Sequence, residues 1–283
     1  MKIIECPRDA MQGIDEFIVT DDKIRYINQL LKVGFDTIDF GSFVSAKAIP
    51  QMRDTKEVLA GLNVSATKSK LLAIVANTRG AEEAAQFQQI SYLGFPLSIS
   101  ETFQQRNTNK SITEALNTLS DIQNICESTG KQQVVYISMG FGNPYNDPYS
   151  VTLVEKFVDI LNTLGVKIIS LADTIGVSTP EQIKYLFETL SAKFKHVELG
   201  AHLHSTPQTA VEKIKAAYEA GCKRFDGAIK GFGGCPMAKD DLVGNLATET
   251  ILSYLNEKNV ATGINQEEFV KAMAIADEVF PKH

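Results

Sequence analysis

Nowhere does the chain approach the roughly 18 uninterrupted apolar residues that a membrane-crossing helix needs, so no helical membrane partner is expected. The first residues, Met1-Lys2-Ile3-Ile4-Glu5-Cys6, enter a short strand pattern at once and read as structure rather than as a signal peptide. Positive charge is also short. Lys and Arg number 28 against 34 Asp and Glu, a net charge of −6 that argues against wrapping nucleic acid. Four cysteines, Cys6, Cys126, Cys222 and Cys235, show no C-x-x-C spacing, so a reduced, cytoplasmic setting is expected. No G-x-G-x-x-G turn follows the first strand pattern, which counts against a dinucleotide-binding sheet. Histidine is scarce as well: of four in the chain, two fall within three residues, in Ala201-His202-Leu203-His204.

What is present is alternation. Short β-branched runs lie near Lys2 to Cys6, Thr37 to Phe40, Leu71 to Val75, Gln89 to Leu93, Gln133 to Ser138, Val166 to Leu171, Val197 to His202 and Arg224 to Ala228. Amphipathic stretches separate them, as in Ile24, Ile27, Leu30 and Leu31. Ser111-Ile112-Thr113-Glu114 has the form of a capping box, and Thr179-Pro180 puts proline in a first helical turn. Eight strand-helix pairs predict an α/β fold of the (β/α)8 TIM-barrel kind, with the helical stretch from Gly263 to Phe280 packed on its outside. Such a barrel commonly takes about 250 residues, and no linker or low-complexity tract interrupts the order, so 1–283 is read as one catalytic domain.

A barrel puts its functional groups at the carboxyl ends of its strands. Arg8-Asp9 follows the first strand, Asp39 ends the second, Asn77 follows the third, Asp173 ends the sixth and His202/His204 end the seventh. Side chains at i and i+2 of a strand share a face, so the two imidazoles can aim at one point. Asp9 can add an anionic oxygen and Asn245 a neutral one, a set suited to Mg2+ or Mn2+, with Zn2+ or Co2+ open on affinity grounds. Taken singly, Asp9 could instead be a turn residue and Asn245 a helix cap. Arg8 could stabilise an oxyanion through paired N–H donors, or form a structural ion pair with Asp39 or Glu5. Asp173 could orient a metal ligand, accept a proton or cap the following turn. Cys235, in Gly231-Phe232-Gly233-Gly234-Cys235-Pro236, could act as a mobile acid over a substrate or be a buried, inert thiol.

Pro7-Arg8-Asp9, Ser42-Phe43-Val44, Pro50-Gln51-Met52, Asp173-Thr174-Ile175-Gly176, the histidine pair, the Gly-Gly-Cys-Pro loop and Gly244-Asn245-Leu246-Ala247-Thr248-Glu249 resemble the 3-hydroxy-3-methylglutaryl-CoA lyase family. The resemblance keeps motif order along almost the whole chain. It implies Asp9, His202, His204 and Asn245 as metal ligands, Arg8 as enolate stabiliser, Cys235 as acid/base, and Asp39, Asp173 and His202 within the catalytic set. It also implies an acyl-CoA substrate, retro-Claisen cleavage to acetyl-CoA and acetoacetate, a place in leucine degradation, and a homodimer. The family's mitochondrial leader and peroxisomal tail have no counterpart here, which fits a cytoplasmic protein. The family's pattern has Glu where this chain has Asp39, an acidic residue where it has Ser205, and cysteines where it has Met139 and Asn143. Two other readings stand beside the lyase. One is a synthase or aldolase of the same superfamily acting on a 2-oxo acid; the other is a catalytically impaired barrel that binds metal or acyl-CoA.

Overall fold

In the computed structural model, which describes residues 1–234 and 243–280, every one of the expected apolar runs is a strand. They are β1 (Lys2–Glu5), β2 (Thr37–Ser42), β3 (Lys70–Ile74), β4 (Ile90–Ser98), β5 (Gln132–Ser138), β6 (Ile168–Asp173), β7 (Glu198–Ser205) and β8 (Arg224–Gly227). Between β1 and β4 come α1 (Pro7–Gln12), α2 (Thr20–Val33), α3 (Thr55–Ala60) and α4 (Thr78–Ala85). Next are α5 (Glu101–Thr108), α6 (Ile112–Thr129), α7 (Val151–Thr163), α8 (Pro180–Lys193) and α9 (Ala210–Glu219). A two-residue strand, β9 (Gly244–Asn245), precedes α10 (Thr248–Glu257) and α11 (Gln266–Val279). The sheet runs β6-β5-β4-β3-β2-β1-β8-β7 and closes through β6–β7, each neighbour parallel, which is the (β/α)8 barrel. Among the described residues only β9 runs antiparallel, against the end of β7.

Local signals explain most element ends. Ser111 and Glu114 form the capping box of α6, and Thr179 with Gln182 forms a second one at α8 behind Pro180. Two strands outrun the sequence pattern. Pro96 suggests a stop for β4, yet it lies past the last β3 pairing, Ile74↔Gly94, and the strand continues beside β5 to Ser98↔Ser138. β7 extends beyond His202 because β6 pairs with it as far as Asp173↔Leu203, and β9 then meets it at His204↔Asn245.

Leu72, Ile74, Tyr92, Val134, Tyr136 and Ile168 fill part of the barrel interior, while a larger apolar layer packs between sheet and helices. The C-terminal helix α11 joins that outer layer: Phe269 meets Phe35 edge to face at 6.3 Å, and Phe280 just beyond it meets Tyr26 at 5.6 Å. Among the described residues no helix is long and apolar enough to cross a membrane.

Glu5 bolts β1 to the segment after β8. One carboxylate oxygen accepts from the Ile229 backbone N–H at 2.8 Å and the other from the Thr248 hydroxyl at 2.6 Å. Burial lifts the Glu5 pKa from 4.5 to about 8, the two hydrogen bonds offsetting only part of the rise. Between those values the folded state keeps a proton that the unfolded chain has lost, so stability falls as pH rises through the window. Glu5→Gln removes this dependence. In urea unfolding, the variant should gain on the native protein as pH rises from 4.5 towards 8. A difference that stays constant across the window would mean that Glu5 ionises as an ordinary carboxylate.

Candidate active site

Because β7 stays extended through Ser205, His202 and His204 project to the same side, with ring centroids 5.4 Å apart. Asp9 reaches them from α1, whose first residue is Pro7, and one ligand atom from each of the three lies within 4.8 Å of the others. Asn245, opposite His204 in the β7–β9 pair, donates its amide to Asp9 Oδ2 at 2.8 Å and to the Phe232 carbonyl at 2.9 Å. It is therefore a strand residue bound to Asp9 rather than a helix cap. Neither ring nitrogen of buried His204 makes a well-aligned hydrogen bond among the described residues; its one polar neighbour of that kind is the Thr174 backbone, a weak contact. Burial and the adjacent His202 push its pKa down to about 4. His202 moves the other way: burial opposes its charge, but the hydrogen bond to Asp226 and the charges of Asp226 and Asp9 outweigh that. Burial likewise opposes the charge of Asp9, and Arg8 with the two imidazoles still holds its pKa below the ordinary value.

Arg8 is nearly saturated. Nε donates to Asp39 at 3.0 and 3.2 Å, Nη2 to Asp39 at 2.5 Å, and Nη1 to Asp9 at 3.0 Å and Gln12 at 2.7 Å. Of a guanidinium's five N–H groups this leaves one, on Nη2, without a described partner, so the paired donors expected of Arg8 reduce to a single one. The structural ion pair with Asp39 is present, and Glu5 is not part of it. Asp39 reaches Arg8 fully, Nε donating to Oδ1 and Nη2 to Oδ2 in a fork-on-fork contact. Burial lifts the Asp39 pKa to about 6 in spite of Arg8, which leaves the pair ionised at neutral pH. Gln12, not anticipated from the sequence, binds both Arg8 and Asp9. Its signal was helical spacing, four residues after Arg8.

Asp173 does end β6, but its carboxylate is spent on structure. It accepts from the Val177 and Ser178 backbone N–H groups, from the Ser178 hydroxyl and from Lys213. Of the three roles open to it, capping the turn is the one its contacts express. Lys213, also missed, is buried and spends its three protons on Asp173, the Gly176 carbonyl and the His204 carbonyl. Asn77 caps α4. Cys235 lies outside the described residues. Its glycine-rich approach is described as far as Gly234. At Gly233 (φ 81°) a Cβ would meet the Asp9 carbonyl at 2.6 Å, so glycine lets this segment lie directly on the Asp9 backbone. Asn143 and Asp147 knit the loop after β5: Asn143 accepts from two of its N–H groups, and Asp147 accepts from Ser100 and Thr102 at the start of α5.

A cavity of about 330 Å3 opens at the carboxyl rim. Arg8, Asp9, His202 and His204 lie on one side, and Val44, Ile49, Ile74, Pro96 and Phe103 provide apolar wall. The HMGL-like family model matches residues 2–275. The chain belongs to the HMGL-like family. It is similar to the hydroxymethylglutaryl-CoA lyase of Bacillus subtilis, 34% identical over 98% of this chain and 91% of that one. A 3-hydroxy-3-isohexenylglutaryl-CoA/hydroxy-methylglutaryl-CoA lyase of Pseudomonas aeruginosa is also 34% identical, over 94% and 88% of the two chains. Among solved structures, an HMG-CoA lyase of Acinetobacter baumannii in complex with coenzyme A and 3-methylmalate superposes with a TM-score of 0.90, at 30% identity over 99% and 90%. The segment Gly244–Glu249 that resembles this family is a seam in the fold: Asn245 binds Asp9, Thr248 binds Glu5 and Glu249 accepts from the Lys230 N–H.

Lys213→Met tests the support under His204. It strips the counter-ion from buried Asp173 and the donor from the His204 carbonyl. Unfolding should lose about 3–5 kcal/mol, the range for breaking a buried pair by removing one partner. A loss below about 1 kcal/mol by urea denaturation would place Lys213 among surface-like pairs.

Proposed function

We propose that the chain is a divalent-metal-dependent carbon–carbon lyase. It cleaves 3-hydroxy-3-methylglutaryl-CoA, or a close 3-hydroxyacyl-CoA, by a retro-Claisen step, giving acetyl-CoA and acetoacetate from the former. The observation that carries this reading is the convergence of Asp9, His202 and His204 beside Arg8 at one cavity, on a chain whose relatives bear lyase names. The residues fit a cation: His204 has two buried nitrogens with no well-aligned hydrogen bond among the described residues, and Asn245 uses its amide nitrogen on Asp9, which leaves its oxygen as a donor. Asp9, His202, His204 and Asn245 are the ligands we infer. Two imidazoles and two oxygens suit Mg2+ or Mn2+, with Zn2+ or Co2+ as further candidates. When bound, such an ion supplies a Lewis acid to the substrate's oxygens.

In the cleavage, the tertiary alcohol passes its proton to the thiolate of Cys235, the acid/base of this reading, and becomes the ketone; the bond between C2 and C3 breaks, and its electron pair passes to the thioester as an enolate. The remaining Nη2 N–H of Arg8 is the donor for that enolate oxygen. Asp39 keeps the guanidinium from turning away, and Asp9 and Gln12 fix its other arm. Cys235, following Gly234 in the sequence, is the group we propose for returning a proton to the enolate carbon. Asp173 serves this chemistry at one remove, by holding Lys213 against the β7 backbone. The same reading takes residues 1–283 as one catalytic domain acting as a cytoplasmic homodimer in leucine degradation, with acyl-CoA rather than nucleic acid or membrane as its partner. Free, buried Cys6, Cys126 and Cys222 agree with a reducing compartment.

Incubating the metal-loaded protein with a panel of 3-hydroxyacyl-CoA thioesters should release acetyl-CoA. Release of none, with condensation of a 2-oxo acid and acetyl-CoA instead, would move the chain to the synthases. Arg8→Met separates chemistry from assembly. It should keep metal affinity within a few-fold, by calorimetry, while turnover falls about 100-fold or more, the loss typical of deleting one preorganised oxyanion donor. Full turnover in a folded, metal-loaded Arg8→Met protein would reduce Arg8 to a structural partner of Asp39.

A further inference from the structure

The interior of a (β/α)8 barrel is ordinarily filled by branched aliphatic side chains. Here β8 instead points Arg224 and Asp226 inward, both side chains 0% exposed. An arginine in that position is costly unless it is matched. Its Nη1 lies 3.4 Å from Glu198 and 4.0 Å from Asp36, at the amino-terminal end of the barrel, and its Nε lies 3.9 Å from Asp226 Oδ1. Room for the side chain comes from Gly200, its neighbour on β7. A Cβ there would meet Ser170 Oγ at 2.8 Å and Arg224 Cδ at 3.0 Å. Asp226 Oδ2 then faces His202 Nδ1 at 3.2 Å and Ser170 Oγ at 3.5 Å. The His202 ring is held from another side by Tyr136, edge to face at 5.4 Å. A line of charge therefore runs from the closed end of the barrel, through Arg224 and Asp226, to an imidazole at the open rim.

We propose that Asp226 is a positioning residue for His202. By accepting Nδ1–H it fixes the tautomer whose Nε2 is bare, and so presents a lone pair towards Asp9 and His204. Arg224 keeps Asp226 in place through the attraction on its other oxygen. Both parts follow from a general property of metal-binding imidazoles: the partner of the second nitrogen sets which nitrogen is free and where it points. The metal-affinity consequence rests on the ligand set inferred above; the tautomer does not.

The experiment uses the full-length protein and has two readouts. The first is the 15N spectrum of the imidazoles in metal-free protein at alkaline pH, where with only four histidines His202 can be assigned by its own substitution. The native ring should be protonated at Nδ1, and Asp226→Ala should give a mixture of tautomers. The second is Mn2+ affinity by calorimetry, which should weaken by about 10- to 100-fold in Asp226→Ala, the usual cost of removing an outer partner of a ligand. If Asp226→Ala does not fold, Asp226→Asn, of the same shape, takes its place: its amide can turn an N–H to His202, and it should shift the tautomer in the same direction. Arg224→Met should weaken Mn2+ binding less than Asp226→Ala and leave the tautomer partly fixed. A native His202 protonated at Nε2 would overturn the proposal. So would a folded Asp226 variant with the native tautomer and Mn2+ affinity. Native protein that binds no Mn2+ yet carries the Nδ1–H tautomer would sink the ligand assignment and leave the role of Asp226 intact.

Discussion

Closure is the constraint from which the site follows. Once eight parallel strands pair around a ring, with β6 meeting β7, every carboxyl end must lie at one rim, and each residue just past a strand faces the same opening. Residues as far apart in sequence as Asp9 and Asn245 then come within hydrogen-bond distance. The i, i+2 alternation of β7 adds two imidazoles on one side, and the pairing of β9 brings Asn245 opposite the second.

Side chains sew the rim between the first strand and the last. β8 is only four residues long, and it is supplemented by side chains. Glu5 reaches Ile229 and Thr248, Asn245 reaches Asp9, and Glu249 holds the Lys230 N–H. These bonds tie α1, which bears Arg8 and Asp9, to the segments that flank residues 235–242. Geometry at the candidate metal centre and geometry of the segment leading to Cys235 therefore share their supports, and a disturbance at Glu5 or Thr248 reaches both.

Much of this was legible in the residue order because it obeys local rules. Strand periodicity located all eight strands, capping residues located α6 and α8, and the position of Arg8, Asp9, Asp39, His202 and His204 after apolar runs identified the rim. What stayed hidden was pairwise. Asp173 caps its own turn, but its ion pair with Lys213 depends on where α9 comes down, forty residues later, and nothing in its own neighbourhood states that. The ends of β4 and β7 depend on how far their neighbours continue. Asp226 was the most recoverable omission. Arg224 and Asp226 alternate within a run that must be buried, and alternating charges on one face of an interior strand are a signal in their own right.

The resemblance leads one to expect Glu at residue 39, and the Asp that stands there bears on how the site carries its charge. A shorter side chain could have left Arg8 free to swing. Instead the guanidinium is held on both arms, by Asp39 on one and by Asp9 with Gln12 on the other. Arg8 carries one positive charge against the two negative charges of the carboxylates it binds, Asp9 and Asp39. Such a cluster is stabilised by further positive charge nearby. The fold supplies none at His204, whose ring is held neutral by burial and by its neighbour, but that neutrality is the state in which an imidazole offers a lone pair. Anionic oxygen, neutral nitrogen and a fixed guanidinium at one cavity wall form an arrangement that favours a cation at its centre and an oxyanion beside it. The short side chain of Asp39 suffices for that arrangement, because its carboxylate contributes by holding Arg8 and, among the described residues, hydrogen-bonds to that residue alone.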